Sequence, residues 1–332
     1  MNYKKQILTP EALKACEKMN ALGSQRTPFI FIIDYGMNHP EVFTFEELEK
    51  KNIFFKINDT TNYSSEANQY LHDTSLKKFP ISFEAYHQAF GTVKHHLQRG
   101  DSFLINLTQP TPVETEMSLL EIFERSQAKY KLYFQDQFVL FSPETFVGIQ
   151  NGIISSHPMK GTISANIPNA EEEILKNKKE LAEHTTIVDL IRNDISMVAE
   201  KVWVERFRYI DRITTNDGDL LQVSSEICGI LPKNYHHQLG TLLFRMLPAG
   251  SITGAPKPQT IEIIREAEGY NRGFYTGVFG IFDGENLDSS VMIRFIEKTK
   301  DGLIFKSGGG ITVFSDEQSE YQEMIDKVYL SF

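Results

Sequence analysis

Apolar residues recur at helical and strand periods along most of the chain and divide it into elements. Thr9-Pro10-Glu11 joins a capping threonine, a first-turn proline and an acid, so a helix runs from Pro10 to a stop at Gly23. Short apolar runs at 29–34 and 53–57 predict strands, and the polar stretch 58–78 predicts a surface linker. Ser82 caps a helix whose apolar face is Tyr86, Phe90, Val93 and Leu97, and Gly100 ends it. Strands are expected at 102–109, 131–141, 145–150 and 152–156, with a helix near 117–129. One long helix is expected over about 170–199, with Ile174, Leu181, Val188, Ile191 and Ile195 as its apolar positions. Strands at 201–213 and 220–231 precede helices near 236–247 and 257–268. An antiparallel meander at 274–282, 288–297 and 303–306 and a terminal helix over roughly 316–330 complete the pattern. Strands come in groups between helices instead of alternating one by one, which favours an α+β fold over a doubly wound parallel sheet.

Composition narrows the function classes. With 332 residues, 41% of them hydrophobic, the chain has apolar material for a large core, and disorder is excluded. Lys plus Arg number 34 against 44 Asp plus Glu, a net charge of −10, which argues against a nucleic-acid binder relying on counterion release. Two cysteines, Cys16 and Cys228, make no disulfide framework, and no secretory signal or membrane-length apolar run is visible. The expected compartment is the cytoplasm.

Three features bear on chemistry. Glu180 and Glu183 lie three residues apart on the long helix, and Glu320 and Glu323 repeat the spacing on the terminal helix. Each pair shares a helix face. Each is either a solvated acidic face or, if the pairs converge, a site for a hard cation such as magnesium; no HExxH or Cys/His spacing points to zinc, although His184 adjoins the first pair. GSITGAPK (250–257) fails the phosphate-loop pattern, whereas Pro256 suits the start of a helix, and Ser307–Phe314 contains three successive glycines. Either segment is a tight turn or a place where backbone approaches an anion. Lys160, between Pro158 and Gly161, is a surface lysine or an amine displayed on a rigid turn. As a nucleophile it would have to be neutral.

Seven strings taken together, GDSFLINLT (100–108), SPETFVG (142–148), PMKGT (158–162), KELAEHTTIVDLIRNDI (179–195), PAGSITGAPK (248–257), FYTGVFGIFDG (274–284) and SGGGITVFSDEQSEYQE (307–323), resemble the chorismate-utilising enzymes. The resemblance runs from about residue 80 to the end. It implies a large αββα sandwich with mostly antiparallel sheets. Residues 1–78 would be a short N-terminal segment adding strands to that sandwich, and 79–332 the chorismate-binding catalytic domain. It implies Mg²⁺ as cofactor, with Glu183 and Glu323 on the metal and Glu180 and Glu320 acting directly or through water. Arg294 and the amides of Gly308, Gly309 and Gly310 would hold the substrate carboxylates, with Tyr275, Thr253 and Gly254 lining the same pocket. Arg294 has a plain alternative as a surface ion pair.

Within the family, Lys160 in PMKGT resembles the aminodeoxychorismate synthase branch, where anthranilate synthases carry alanine. Leu104 stands where the isochorismate and salicylate branch places its water-activating lysine. The resemblance therefore implies catalysis by Lys160 as nucleophile and Glu144 as general acid. Ammonia would come from a glutamine amidotransferase subunit, since the chain is expected to be too short to include one. Anthranilate synthase component I and an inactive amidotransferase-binding homologue are the alternatives. Leu221 falls where relatives place a histidine, and no tryptophan-binding serine string is visible.

Overall fold

Period-two alternation builds the centre of the molecule. All five side chains of strand Phe29–Ile33 are buried, Phe29, Phe31 and Ile33 on one face and Ile30 and Ile32 on the other. A strand buried on both faces belongs inside a layered structure, and the computed structural model, which describes residues 8–64, 75–215 and 218–332, places it there.

Two nine-stranded sheets lie face to face, and every strand pairing among the described residues is antiparallel. The first sheet runs in the order Met159–Ser164, Gly218–Ile230, Ile153–Ser156, Thr145–Gln150, Leu287–Val291, Val278–Phe282, Phe29–Ile33 and Glu41–Thr44, with Lys201–Thr215 beside Gly218–Ile230. The second runs Gly254–Ala255, Leu104–Glu114, Gly302–Ile311, Phe295–Thr299, Phe138–Ser142, Tyr130–Phe134, Ile53–Ile57 and Thr60–Thr61, with Lys77–Lys78 beside Leu104–Glu114. Ile30, Ile32, Phe279 and Ile281 from the first sheet meet Phe55, Leu132, Phe138 and Phe295 from the second in the central core. Each such aromatic or branched side chain stabilises the stack by roughly 1.5–3 kcal/mol.

Helices close both outer faces. Pro10–Ser24, Lys178–Ser196 and Leu239–Met246 cover the first sheet through Ala12, Met19, Val188, Ile195 and Leu243. Phe83–Arg99, Lys257–Glu268 and Glu317–Asp326 cover one end of the second sheet, and Leu119–Arg125 the other. The layers are αββα, the α+β sandwich expected from the sequence. The first residues contribute to both sheets, Phe29–Ile33 and Glu41–Thr44 to one and Ile53–Ile57 to the other.

Four expectations change. The apolar run 131–141 is a hairpin, because Gln135 and Asp136 both adopt positive φ and fold the chain back between Tyr130–Phe134 and Phe138–Ser142. The helix over 170–199 is two, Ala170–Lys176 and Lys178–Ser196, broken at Asn177, whose side chain accepts the Glu180 amide at 3.1 Å. The meander changes sheets midway: Leu287–Val291 belongs to the first and Phe295–Thr299 to the second. Arg294, at φ 51°, turns the chain across the gap. Finally, the glycine run continues the strand Gly302–Ile311 instead of ending it in a turn. Of the linker expected at 58–78, residues 65–74 lie outside the described residues.

Candidate active site

At one end of the sandwich the two sheets part around a cavity of about 540 Å³, within the range of small-molecule sites. Its walls come from strands of both sheets and from two helices. Lys160, Glu144, Glu180, Glu183, Glu323, Tyr275, Arg294 and Gly308–Gly310 all line it.

Lys160 arrives by a strand irregularity, not a turn. Met159 pairs with Ser224 and Thr162 with Gln222, so Lys160-Gly161 carries one extra residue, with Gly161 at φ 86°. Such a bulge redirects a side chain out of the ladder, and only glycine adopts that conformation without strain. The redirected Nζ lies 2.9 Å from Glu183 Oε2. Burial opposes the lysine's charge, but Glu183, then Glu323 and Glu180, outweigh it and raise its pKa above the ordinary value. In this arrangement Lys160 is an ammonium ion.

Glu144 sits at the head of strand Thr145–Gln150. Its carbonyl accepts from Ser290 Oγ and Val291 N, and its carboxylate accepts from Ser251 Oγ at 2.6 Å. Burial pushes its pKa up; the Ser251 hydrogen bond and the charges of Lys327 and Arg294 pull the other way without prevailing. A carboxyl held toward its protonated form beside a ligand cavity is suited to general-acid work.

Helix spacing brings the glutamates in. Glu180 and Glu183 project from Lys178–Ser196, and Glu320 and Glu323 from Glu317–Asp326. A side chain at Gly309 would meet Glu320 Oε2, Glu323 Oε1 and Lys327 Nζ, each at 3.5 Å, so the glycine leaves the acidic helix face open to the cavity floor. Glu320 is buried behind that floor and is not part of the lining. Beyond the pair Phe295↔Lys306 no strand among the described residues covers the second edge of residues 307–311. On that open edge Gly308 O accepts from Lys327 Nζ at 2.8 Å, and the other backbone groups of the glycine run face the cavity, where an anion could meet them.

The buried Glu180 Oε2 accepts no hydrogen bond, while Glu183 pairs with Lys160 and Glu323 with Lys327 at 2.6 Å. A buried carboxylate oxygen without a donor is costly, and a cation is the partner that removes the cost. The donor set, all carboxylate oxygen, fits a hard divalent ion. Among the described residues no three acidic, histidine or cysteine side chains already stand in a cage for one.

Two expected lining residues lie behind the wall. Thr253 is fully buried and its carbonyl accepts Asn106 N at 2.9 Å; a Cβ on Gly254 would fall 1.9 Å from Leu104 O. Both pin strand Leu104–Glu114 to the loop before Lys257. Lys257, in turn, pairs with Asp194 at 2.7 Å and donates to Met246 O, holding that loop to the long helix. His184 points away from the acidic pair: it is fully buried, contacts Ser225 Oγ at 2.7 Å, and burial with Arg208 nearby pushes its pKa down to about 4.

Sequence reasoning missed Asn106, Gln222, Ser251, Thr276, Lys306 and Lys327 on the cavity wall. Lys327 had a signal, four residues after Glu323 on one helix face. The others depend on strand pairing and loop placement. With Lys160, Arg294, Lys306 and Lys327 facing Glu144, Glu180, Glu183 and Glu323, four cationic side chains meet four acidic ones. The cavity thus escapes the chain's overall −10 charge.

The model of the chorismate binding enzymes matches residues 30–331. The chain belongs to that family. A PabA-like protein of Pasteurella multocida is 49% identical over 95% of this chain and 97% of its own length. Aminodeoxychorismate synthase component 1 of Salmonella typhimurium is 35% identical over 73% of this chain, which spans 56% of that protein. Among solved structures, anthranilate synthase component I of Streptococcus pneumoniae is similar with a TM-score of 0.66 and 27% identity, over 78% of this chain and 60% of its own. As a member of a chorismate-utilising family, the chain carries Leu104 on the cavity wall, an aliphatic group that cannot activate water. Gln222, not Leu221, is the lining residue on strand Gly218–Ile230. No helix among the described residues is long and apolar enough to cross a membrane.

Proposed function

We propose that the protein is an aminodeoxychorismate synthase component I, converting chorismate and ammonia to 4-amino-4-deoxychorismate. The observation that carries the reading is Lys160 Nζ inside the cavity, 2.9 Å from Glu183, with Glu144 on the same cavity wall and held toward its acid form by burial. A surface lysine would have no reason for a bulge that turns it inward.

Arg294 and the glycine-run backbone bind the substrate carboxylates, and Tyr275 packs along the ring. Lys160, once deprotonated, adds to C2 of the ring while Glu144 gives its proton to the departing C4 hydroxyl. Ammonia then adds at C4, and the lysine nitrogen leaves C2 with the bonding pair as the ring double bond shifts back. Covalent catalysis divides one difficult displacement into two easier ones. Glu183 and Glu323, with Glu180 and Glu320 supporting, would hold Mg²⁺, which would supply positive charge for a substrate carboxylate. A glutamine amidotransferase subunit would supply ammonia.

Incubation with chorismate, Mg²⁺ and ammonium, followed by mass identification of the product, tests the reading. Aminodeoxychorismate retaining its enolpyruvyl group is expected. Release of pyruvate with anthranilate, in the absence of any lyase, would replace this reading by anthranilate synthesis.

A further inference from the structure

Different parts of the fold hold the backbone and the carboxyl of Glu144. Glu144 N donates to Ser142 Oγ at 3.2 Å and its carbonyl is fixed by Ser290 and Val291, so the first sheet anchors the main chain. Among the described residues, the one donor to the carboxyl is Ser251 Oγ, 2.6 Å from Oε1. Ser251 belongs to the turn Gly250–Ile252, which is no part of that sheet. A buried ion pair seats the turn. Asp194 Oδ2 accepts Gly250 N at 3.2 Å, Asp194 Oδ1 pairs with Lys257 Nζ at 2.7 Å, and Lys257 also donates to Met246 O at 2.6 Å, just before the turn. The lysine and aspartate side chains are only 15% and 10% exposed. A Cβ on Gly250 would fall 2.8 Å from both Asp194 Oδ2 and Leu190 Cγ, so the turn lies flat against the helix Lys178–Ser196. Asp194 follows Glu183 on that helix by about three turns, so one helix face carries both the partner of Lys160 and the anchor of Ser251. A buried ion pair adds little stability over apolar side chains of the same volume, so its presence here calls for another role.

Resting on the amination reading above, we infer that Asp194 and Lys257 are positioning residues for the general acid: by seating Ser251 on Glu144 Oε1 they leave Oε2 to carry the proton. A carboxylic acid has one proton and two oxygens. The oxygen that accepts from Ser251 is the carbonyl-like one, and the proton stays on the other. In the first half-reaction that proton passes to the C4 hydroxyl oxygen, which takes the C4–O bonding pair and leaves as water. The Lys160 nitrogen bonds to C2, and Glu144 is left as carboxylate. Without Ser251 the carboxyl turns about its last bond and presents either oxygen. The charges facing Glu144 come from other elements, Lys327 on the terminal helix and Arg294 at the crossing between the sheets, with the Tyr275 phenol beside it. None of these described groups donates a hydrogen bond to the carboxyl, so its orientation falls to the serine.

Steady-state kinetics with chorismate, Mg²⁺ and ammonium chloride, read by product mass and run beside urea unfolding, test this role. Ser251→Ala should lower kcat about 10²-fold, the usual cost of a misplaced reacting group, with the KM for chorismate unchanged. Because the serine hydrogen bond favours the carboxylate, its loss raises the Glu144 pKa, and the falling limb of the kcat–pH profile should move to higher pH. Ser251→Thr, which keeps a hydroxyl, should restore both. Lys257→Met should lower kcat about tenfold in wild type and not at all in Ser251→Ala, because the pair acts through the serine. Lys257→Gln takes its place in the cycle should Lys257→Met not fold. Wild-type kcat with an unmoved limb in Ser251→Ala, or losses that multiply in the double variant, overturn the positioning role alone. Absence of any aminated product from wild type overturns the amination reading together with it.

Discussion

Replacing Glu268 by glutamine should destabilise the fold more than any exposed charge change, because of what converges on its carboxylate. Oε1 accepts from Thr108 N and Thr108 Oγ1, each at 2.8 Å, and from Arg272 at 2.5 Å; Oε2 accepts from Arg272 Nε at 2.8 Å. The paired side chains are only 2% and 1% exposed. Arg272 also donates to Ile252 O and Asn106 O, tying the loop, the helix Lys257–Glu268 and the cavity-wall strand into one unit. In Glu268→Gln the shape persists, but an amide NH₂ faces a donor and the buried guanidinium loses its counter-charge. Removing one partner of such a pair costs about 3–5 kcal/mol. Urea denaturation followed by circular dichroism measures it. Glu268→Leu with Arg272→Met removes the uncompensated charge but leaves Thr108 N, Ile252 O and Asn106 O without partners, so it should recover only part of the loss. A single-variant cost below about 1 kcal/mol, the level of an exposed pair, would refute the reasoning.

Three further outcomes follow. Glu144→Gln keeps the Ser251 contact but has no proton to give, so kcat should fall about 10²–10⁴-fold. In wild type the acid must be protonated and its pKa is raised by burial, so activity should persist above the ordinary carboxyl range and fall as pH rises through the Glu144 pKa; that falling limb should vanish in Glu144→Gln. Gly161→Ala should lower activity far more than stability: the φ of 86° costs about 1–2 kcal/mol for an L residue, and the new Cβ lies 3.0 Å from Glu180 Oε2. Kinetics alongside urea unfolding distinguish the two effects, and full activity would mean the bulge does not aim Lys160. Lys131 donates to the carbonyls of Phe123, Glu124 and Ser126 at the end of helix Leu119–Arg125, with its pKa lowered by burial to about 8. The unfolded lysine binds its proton more tightly, so this group opposes folding in full below about pH 8, and the opposition fades as pH rises from about 8 toward the ordinary lysine value of about 10.4; Lys131→Met should flatten the stability–pH curve across that window, measured by urea unfolding.

The elements set by local chemistry were legible. Ser82 and Gly100 bracket the helix Phe83–Arg99 because capping and left-handed termination are decided within a few residues. The bulge at Lys160-Gly161 was not legible, since it exists only relative to the register of a strand some 60 residues away. Likewise Gln135-Asp136 gave no glycine to mark its turn, and Arg294's crossing between sheets depends on which partners the flanking strands find. Glu268 and Arg272 stand four apart, but Gly269 ends the helix between them, and nothing local told that they form a buried pair. For the candidate site, family strings supplied the inward-facing residues, while Lys306 on the cavity wall and the serine on Glu144 came from long-range packing.

The central claim is that the amine of residue 160 forms a bond to the substrate ring. Protein incubated with chorismate and Mg²⁺ while ammonia is withheld, then quenched, digested and mapped by mass spectrometry, tests it most directly. A gain equal to chorismate less water on the peptide carrying Lys160, discharged on adding ammonium, is predicted. An unmodified Lys160, together with wild-type rates of amination in Lys160→Ala, would contradict the account.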